Sequence, residues 1–253
     1  MVETNNLNTI ISKTFHRFIH EKTWEYQKKS KANNDNLGFM LPSFNRSYMV
    51  PNFNEIEKEN KLIGILIAHP EYSFTRNEIL PHLGTFDEKS GEHIDFFCIG
   101  YKKQKNTEPI VAKDIDGINW SFDEEAFKHI VSKLESISSW KQSHSTELLL
   151  LNATAKFKEG KCSYNFNFKK SIVLNLEQMQ NIKSFVNIRE FFINDLFRYA
   201  KEIKKVEELS DILFAKNENH FIFEVFSNLI KIDLKNIQEL FKKKYIYLLK
   251  DVS

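Results

Sequence analysis

Apolar positions recur along the chain with two different periods, and each change of period marks an element. Over residues 10–31, Ile11, Phe15, Phe18 and Ile19, then Trp24 and Tyr26, fall at helical spacing among charged residues, which predicts a first helix. The period is lost over residues 32–54, yet Leu37, Phe39, Met40, Leu41, Tyr48, Met49 and Val50 make this stretch too apolar for a free linker. An extended arm lying on the body is expected there. Residues 61–68, Lys-Leu-Ile-Gly-Ile-Leu-Ile-Ala, form an unbroken apolar run, the pattern of a central strand buried on both faces.

Thr75-Arg76-Asn77-Glu78 has the form of a capping box, in which hydroxyl and carboxylate satisfy free amides at a helix start. Ile79, Leu80, Leu83 and Phe86 supply the stripe behind it, and Pro81 predicts a kink or a restarted turn. Residues 93–101 read as a second strand and residues 117–121 as a short one. A second box, Ser121-Phe122-Asp123-Glu124, opens a helix with Ala126, Phe127, Ile130, Val131, Leu134 and Ile137 at helical spacing.

Residues 147–152 give a third strong strand. Residues 162–176 alternate, with Tyr164, Phe166, Phe168, Ile172, Leu174 and Leu176 on one side, which predicts one or two antiparallel strands at the sheet edge. Helical spacing returns over residues 181–203 and again over 207–216, 218–230 and 233–250, although residues 220–226 fit a strand equally well.

Three apolar strands separated by helices, then an edge hairpin and more helices, define an α/β (or α+β) fold with a mixed sheet of about four to five strands and flanking helices. The order is compatible with a thioredoxin-like arrangement. The expected organisation is an N-terminal helix and arm over 1–60, an α/β core over 61–203 and a helical extension over 204–253. The turn after the first strand is His69-Pro70-Glu71-Tyr72, so the Cys-x-x-Cys of disulfide exchange is absent.

Composition narrows the class further. A formal net charge of +2 over 253 residues gives no overall pull toward nucleic acid or an anionic membrane. No apolar run approaches the roughly 18 to 20 residues of a membrane span, so no membrane partner is expected. The N-terminus lacks a secretory pattern, and two isolated cysteines, Cys98 and Cys162, exclude a disulfide scaffold; the cytoplasm is the expected compartment. Seven glycines leave little material for a phosphate-cradling loop, and no cofactor is expected. Twenty-three Phe against 3 Trp is the one odd count.

The sharpest chemical grouping follows the first strand, where open α/β sheets place ligands. His69, Glu71, His93 and Asp95 are the candidate catalytic residues, and Thr75, Arg76 and His82 the candidate ligand-binding ones. Imidazole and carboxylates converging on one pocket would run acid–base chemistry or hold a divalent ion. Capping by Thr75 and Glu78, and solvation of Asp87, Glu88 and Glu92, explain most of the same residues without a site.

His16 and His20 stand at i, i+4, a spacing that can bring two imidazoles to one zinc. Position 17 is Arg rather than the Glu of a metalloprotease, and an ordinary polar helix face accounts for the pair. Cys98 reads as an inert core thiol. Lys102, Lys103, Lys161, Lys169 and Lys170, with Tyr164, Phe166 and Phe168 between them, form the nucleic-acid candidate, against which Lys is also a common guard of edge strands.

Residues 79–101 and 147–153, with Phe191-Phe192, resemble a group of bacterial proteins of no assigned activity. The resemblance implies a bacterial setting, in which such proteins often belong to multi-gene systems such as phage defence. The combined expectation is a protein-binding or regulatory module with no catalysis of its own, whose partner is another protein or a second copy. The alternatives are a hydrolase or nucleic-acid-processing enzyme at His69 and Glu71, and a nucleic-acid binder through the Lys-rich hairpin.

Overall fold

The computed structural model describes residues 7–35, 56–90, 94–104, 109–181, 187–198 and 246–248. The first half of the chain gives α1 (Leu7–Thr14), α2 (His16–Asp35), β1 (Glu57–Ile67), α3 (Leu83–Lys89), β2 (Asp95–Cys98), β3 (Tyr101–Lys103), β4 (Ala112–Lys113) and β5 (Asn119–Phe122). Then follow α4 (Glu124–Ile137), β6 (Glu147–Lys158), β7 (Lys161–Asn175), α5 (Leu176–Asn181), α6 (Ile188–Glu190) with its continuation Phe191–Phe197, and β8 (Ile246–Leu248).

The apolar run of β1 sits where the sequence places it, in the middle of a five-stranded sheet of order β2-β1-β6-β7-β8. β1 is parallel to β2 and antiparallel to β6. Alternate residues serve opposite faces. Ile63, Ile65 and Ile67, with Leu149, Leu151 and Val173, pack under α1, α2 and α4 through Ile10, Phe15, Phe18, Ile130 and Leu134. Leu66, with Phe96, Leu148, Leu150, Ile172 and Leu174, packs under Leu80, Leu83, Phe86, Ile188, Phe192 and Leu196. Each such side chain contributes roughly 1.5–3 kcal/mol by leaving water. A strand, a helix and a parallel strand are followed by α4 on the opposite face, two antiparallel strands and a closing helix. To this core the chain adds α1 and α2, a small sheet of order β3-β5-β4, and β8.

Several local features differ from the sequence reading, each for a definable reason. The first helix is two: α1 ends at Thr14, whose carbonyl accepts Lys61 Nζ–H at 2.7 Å, and α2 starts at His16. Thr75 caps nothing; it is buried, within a wide-turn segment Thr75–Ile79 already under way at Phe74, and its hydroxyl meets Thr146 Oγ1 at 2.8 Å. Pro81 does restart the helix, through the tight turn Leu80–His82 before α3. In the second box the cap is Asp123, which accepts Ala126 N–H at 2.9 Å, while Ser121 lies buried in β5. The strand expected over 93–101 breaks at Gly100, whose φ of 81° turns the chain from β2 into β3.

Over residues 172–174 β7 is not an edge: β8 pairs with it there, Ile246 with Leu174 and Leu248 with Ile172. That stretch was expected to be helical, but Ile246-Tyr247-Leu248 suits a pleated surface equally well. Nor do the β7 aromatics share one side with its aliphatics. Between Leu150 and Asn152 the register advances two residues on β6 and five on β7, and an odd difference swaps faces. Phe166 therefore joins the α1–α2 side while Ile172 and Leu174 serve the other. The arm expected over 32–54 and the helices expected after residue 203 otherwise lie outside the described residues, apart from residues 32–35, which end α2. No helix among the described residues is long and apolar enough to cross a membrane.

Candidate functional site

His69 stands two residues past β1, at the sheet end where β6 begins, because Ile67 pairs with Glu147. Its side chain is only 12% exposed. Glu71 N–H donates to Nδ1 at 3.3 Å, so the neutral ring carries its proton on Nε2, which donates to Glu124 Oε2 at 2.8 Å. Rings of Tyr72, Phe122 and Phe127 surround the imidazole with centroids 5.5, 5.2 and 5.2 Å away. Burial raises the Glu124 carboxyl, but hydrogen bonds from Lys128 and His69 outweigh it and hold the group below the usual carboxylate value. Both ring nitrogens of His69 are thus engaged, and the pair fastens the loop after β1 to the first turn of α4.

Of the other candidates in this loop, Glu71 is exposed with its carboxylate 3.8 Å from His69 Nδ1. Arg76 donates from Nη1 to the carbonyls of Pro70 at 3.3 Å and Glu71 at 2.9 Å. Its guanidinium closes the turn, and Thr75 lies beneath, hydroxyl to hydroxyl with Thr146. His69, Glu71, Thr75 and Arg76 are therefore brought together. His82 is not with them: it sits in the Leu80–His82 turn against Phe86, where burial and then the Arg189 charge lower its basicity. Asp95 is not with them either: it pairs in register with Ile63, partway along β1, and lies 3.9 Å from Lys61 Nζ. His93 and Glu92 lie outside the described residues.

The lysines divide likewise. Lys102 and Lys103 are in β3, where Lys103 meets Asp87 at 2.7 Å and lies over Trp120. Lys161 begins β7 beside the hairpin turn, at the end of the sheet where Glu57 pairs with Phe157; β3 leaves from the opposite end. Lys169 and Lys170 fall in the irregular part of β7, and their side chains lie outside the described residues. Phe166 is buried, while Tyr164 stacks on Phe15 with centroids 6.2 Å apart and remains 40% exposed.

Two groups in this region carry no short-motif signal. Gln142 donates from Nε2 to Tyr72 OH at 3.0 Å, tying the loop before β6 to the loop after β1. Glu147, 1% exposed, accepts Trp140 Nε1–H at 3.1 Å; burial raises its carboxyl, and hydrogen bonds from Ser143 and Trp140 offset only part of this. Beside it Ser143, Ser145 and Asn175 form a chain of bonds at 2.6 and 2.7 Å.

A raised carboxyl means that the folded state holds its proton more tightly than the unfolded chain. The stability this confers is complete below the ordinary value of 4.5 and is lost as pH rises through the higher folded value. Glu147→Gln keeps an acceptor for Trp140 and removes the titration. The difference in unfolding free energy, variant minus wild type, is expected to grow in the variant's favour from pH about 4.5 upward. Urea titrations between pH 4 and 8 read it directly, and parallel curves for the two proteins would refute it.

Burial likewise raises the Cys98 thiol, and Cys162 is also unpaired. Among the described residues no group of three His, Cys, Asp or Glu is placed to hold a metal ion. Compared with known proteins, the chain matches no family model, no curated protein and no solved structure. Geometry alone supports the functional reading.

Proposed function

We propose that this protein is a binding module that docks another protein and performs no chemistry of its own. The observation that supports the reading is a group of exposed apolar residues beside the small sheet. Ile110, Val111 and Ile115 are 54, 39 and 61% exposed within six positions of one another. They flank β4, which pairs with β5 and lies at the margin of that sheet. Apolar side chains grouped at a strand margin combine hydrophobic area with main-chain groups, the pairing used in strand-addition recognition.

Affinity capture from the native host tests it, comparing wild type with an Ile110→Asp, Ile115→Asp double variant. The wild type is expected to retain a stoichiometric protein partner, and the variant to lose it at an unchanged melting temperature. A wild-type chain that is monomeric and recovers no stoichiometric partner would falsify the reading.

The pairing of His69 with Glu124 favours a second reading, acid–base catalysis at that loop. Under the binding reading His69 is a structural clasp, and His69→Ala is expected to cost about 1–3 kcal/mol of stability by leaving Glu124 without its donor and emptying the aromatic cage. Loss of biological activity in His69→Gln and Glu71→Gln at undiminished stability would instead favour catalysis.

A further inference from the structure

We propose that His16 and His20 bind one divalent transition-metal ion on the exposed face of α2. The two imidazoles are stacked one helical turn apart, their centroids 6.4 Å from each other and their planes within 18°. Both residues are exposed, while Phe18 is buried and Ile19 half-buried in the core beneath, so the core fixes which way the pair points. Residues at i and i+4 share one face. Ile19 N–H bonds the Phe15 carbonyl at 2.9 Å, so the first turn of α2, which carries His16, is already hydrogen-bonded.

An ion about 2.0–2.1 Å from one nitrogen on each ring requires the solvated side chains to turn about χ1 as well as χ2, drawing the rings closer than in the stacked arrangement, and exposed side chains exchange such rotamers at little cost. Arg17, adjacent to His16 in sequence, is paired: its Nε is 2.8 Å from Glu21 Oε1. Two imidazoles leave the remaining coordination positions to water. That donor set selects ions that favour nitrogen and follows the order Cu²⁺ above Ni²⁺ and Zn²⁺, with no affinity for Mg²⁺ or Ca²⁺.

Isothermal titration of the full chain with CuCl₂, NiCl₂, ZnCl₂ and MgCl₂ tests the site. One ion per chain is expected for the first three, none for Mg²⁺, and a rise in melting temperature with Cu²⁺ concentration, since the ion binds the folded helix. His16→Asn and His20→Asn are each expected to weaken Cu²⁺ binding at least about tenfold, without changing the melting temperature of the metal-free chain. His129→Asn, on exposed α4, is expected to leave binding unchanged. Cu²⁺ binding that survives both His16→Asn and His20→Asn, or that is lost in His129→Asn, overturns the proposal. So does the absence of any Cu²⁺ heat or melting shift in the wild type.

Discussion

Replacing Asp114 with Ala is expected to lower the unfolding free energy by about 4 kcal/mol or more, enough to unfold a protein of ordinary marginal stability near its growth temperature. The carboxylate is buried and accepts four N–H groups. Oδ2 takes Gly84 N–H at 2.9 Å and Trp120 Nε1–H at 2.7 Å; Oδ1 takes Asp116 N–H at 3.0 Å and Ile118 N–H at 2.9 Å. It joins the turn between β4 and β5 to the first turn of α3, and Ala would strand the buried Gly84 and Trp120 donors. Asp114→Asn should fall between, because its NH₂ would face donors on one side. Gly84 belongs to the same device, since a Cβ there would meet Asp114 Oδ2 at 2.5 Å. Gly84→Ala is therefore expected to be destabilising alone. In an Asp114→Ala background it should cost less, because the closest contact is gone and Ala favours the helix, while Asp116 Oδ2 at 3.0 Å and Ile118 Cδ1 at 3.1 Å still have to give. Chemical denaturation of the four proteins closes the cycle, and a single variant Asp114→Ala within about 1 kcal/mol of wild type would contradict it.

Nothing short-range in the sequence announces Asp114. It reads as the end of a lysine-rich loop, because three of its four donors lie on the turn and strand that follow and the fourth is thirty positions earlier. The same holds for His69 and Glu124, separated by 55 positions. Such residues meet only through the tertiary packing of separate elements, the β4–β5 turn on α3 and the loop after β1 on α4. Local pattern was a good guide wherever burial is two-sided or periodic, as in β1, α4 and the break at Pro81. It failed where one residue satisfies two rules at once. Thr75 matches a cap consensus but is buried, so its hydroxyl goes to Thr146. On β7 strict alternation stops at an irregularity that no periodicity contains, and the stripe read on one side divides between two faces.

The candidate site was legible in one part and scattered in another for the same reason. His69, Glu71, Thr75 and Arg76 are neighbours in a loop, so proximity follows from chain continuity. Asp95 falls at the far side of the helix that follows β1, and the sequence alone does not show whether that side meets His69. Parallel pairing of β1 with β2 sets the start of β2 beside Ile63, partway along β1 and away from the end that carries His69. His16 and His20 illustrate the converse: their spacing was visible, but only the packing of Phe18 shows that both rings point to solvent.

Phe192→Ala is expected to cost about 3–5 kcal/mol, the second large effect, and it addresses the phenylalanine excess. Phe192 is fully buried, with Phe86, Phe96, Phe191 and Phe197 at centroid distances of 4.7, 5.1, 5.5 and 6.3 Å. The Phe86 and Phe96 contacts are edge-to-face, a geometry worth about 0.5–1.5 kcal/mol per pair beyond burial. The ring locks the Phe191–Phe197 segment onto α3 and β2, so truncation removes packing from three elements at once. Because those neighbours are themselves rigid rings, the void closes poorly, which puts the cost at the upper end of the range. Trp24, 57% exposed beside Lys28, supplies the contrast: Trp24→Ala should stay within about 0.5 kcal/mol of wild type. Urea unfolding followed by near- and far-ultraviolet dichroism measures both. Phe157, Phe166, Phe191, Phe192 and Phe197 are all buried, so among the described residues after position 156 the excess is a thick aromatic core rather than a docking face. A Phe192→Ala cost below about 1 kcal/mol would reverse that conclusion, because rings that can be removed without loss are not what holds the layer together.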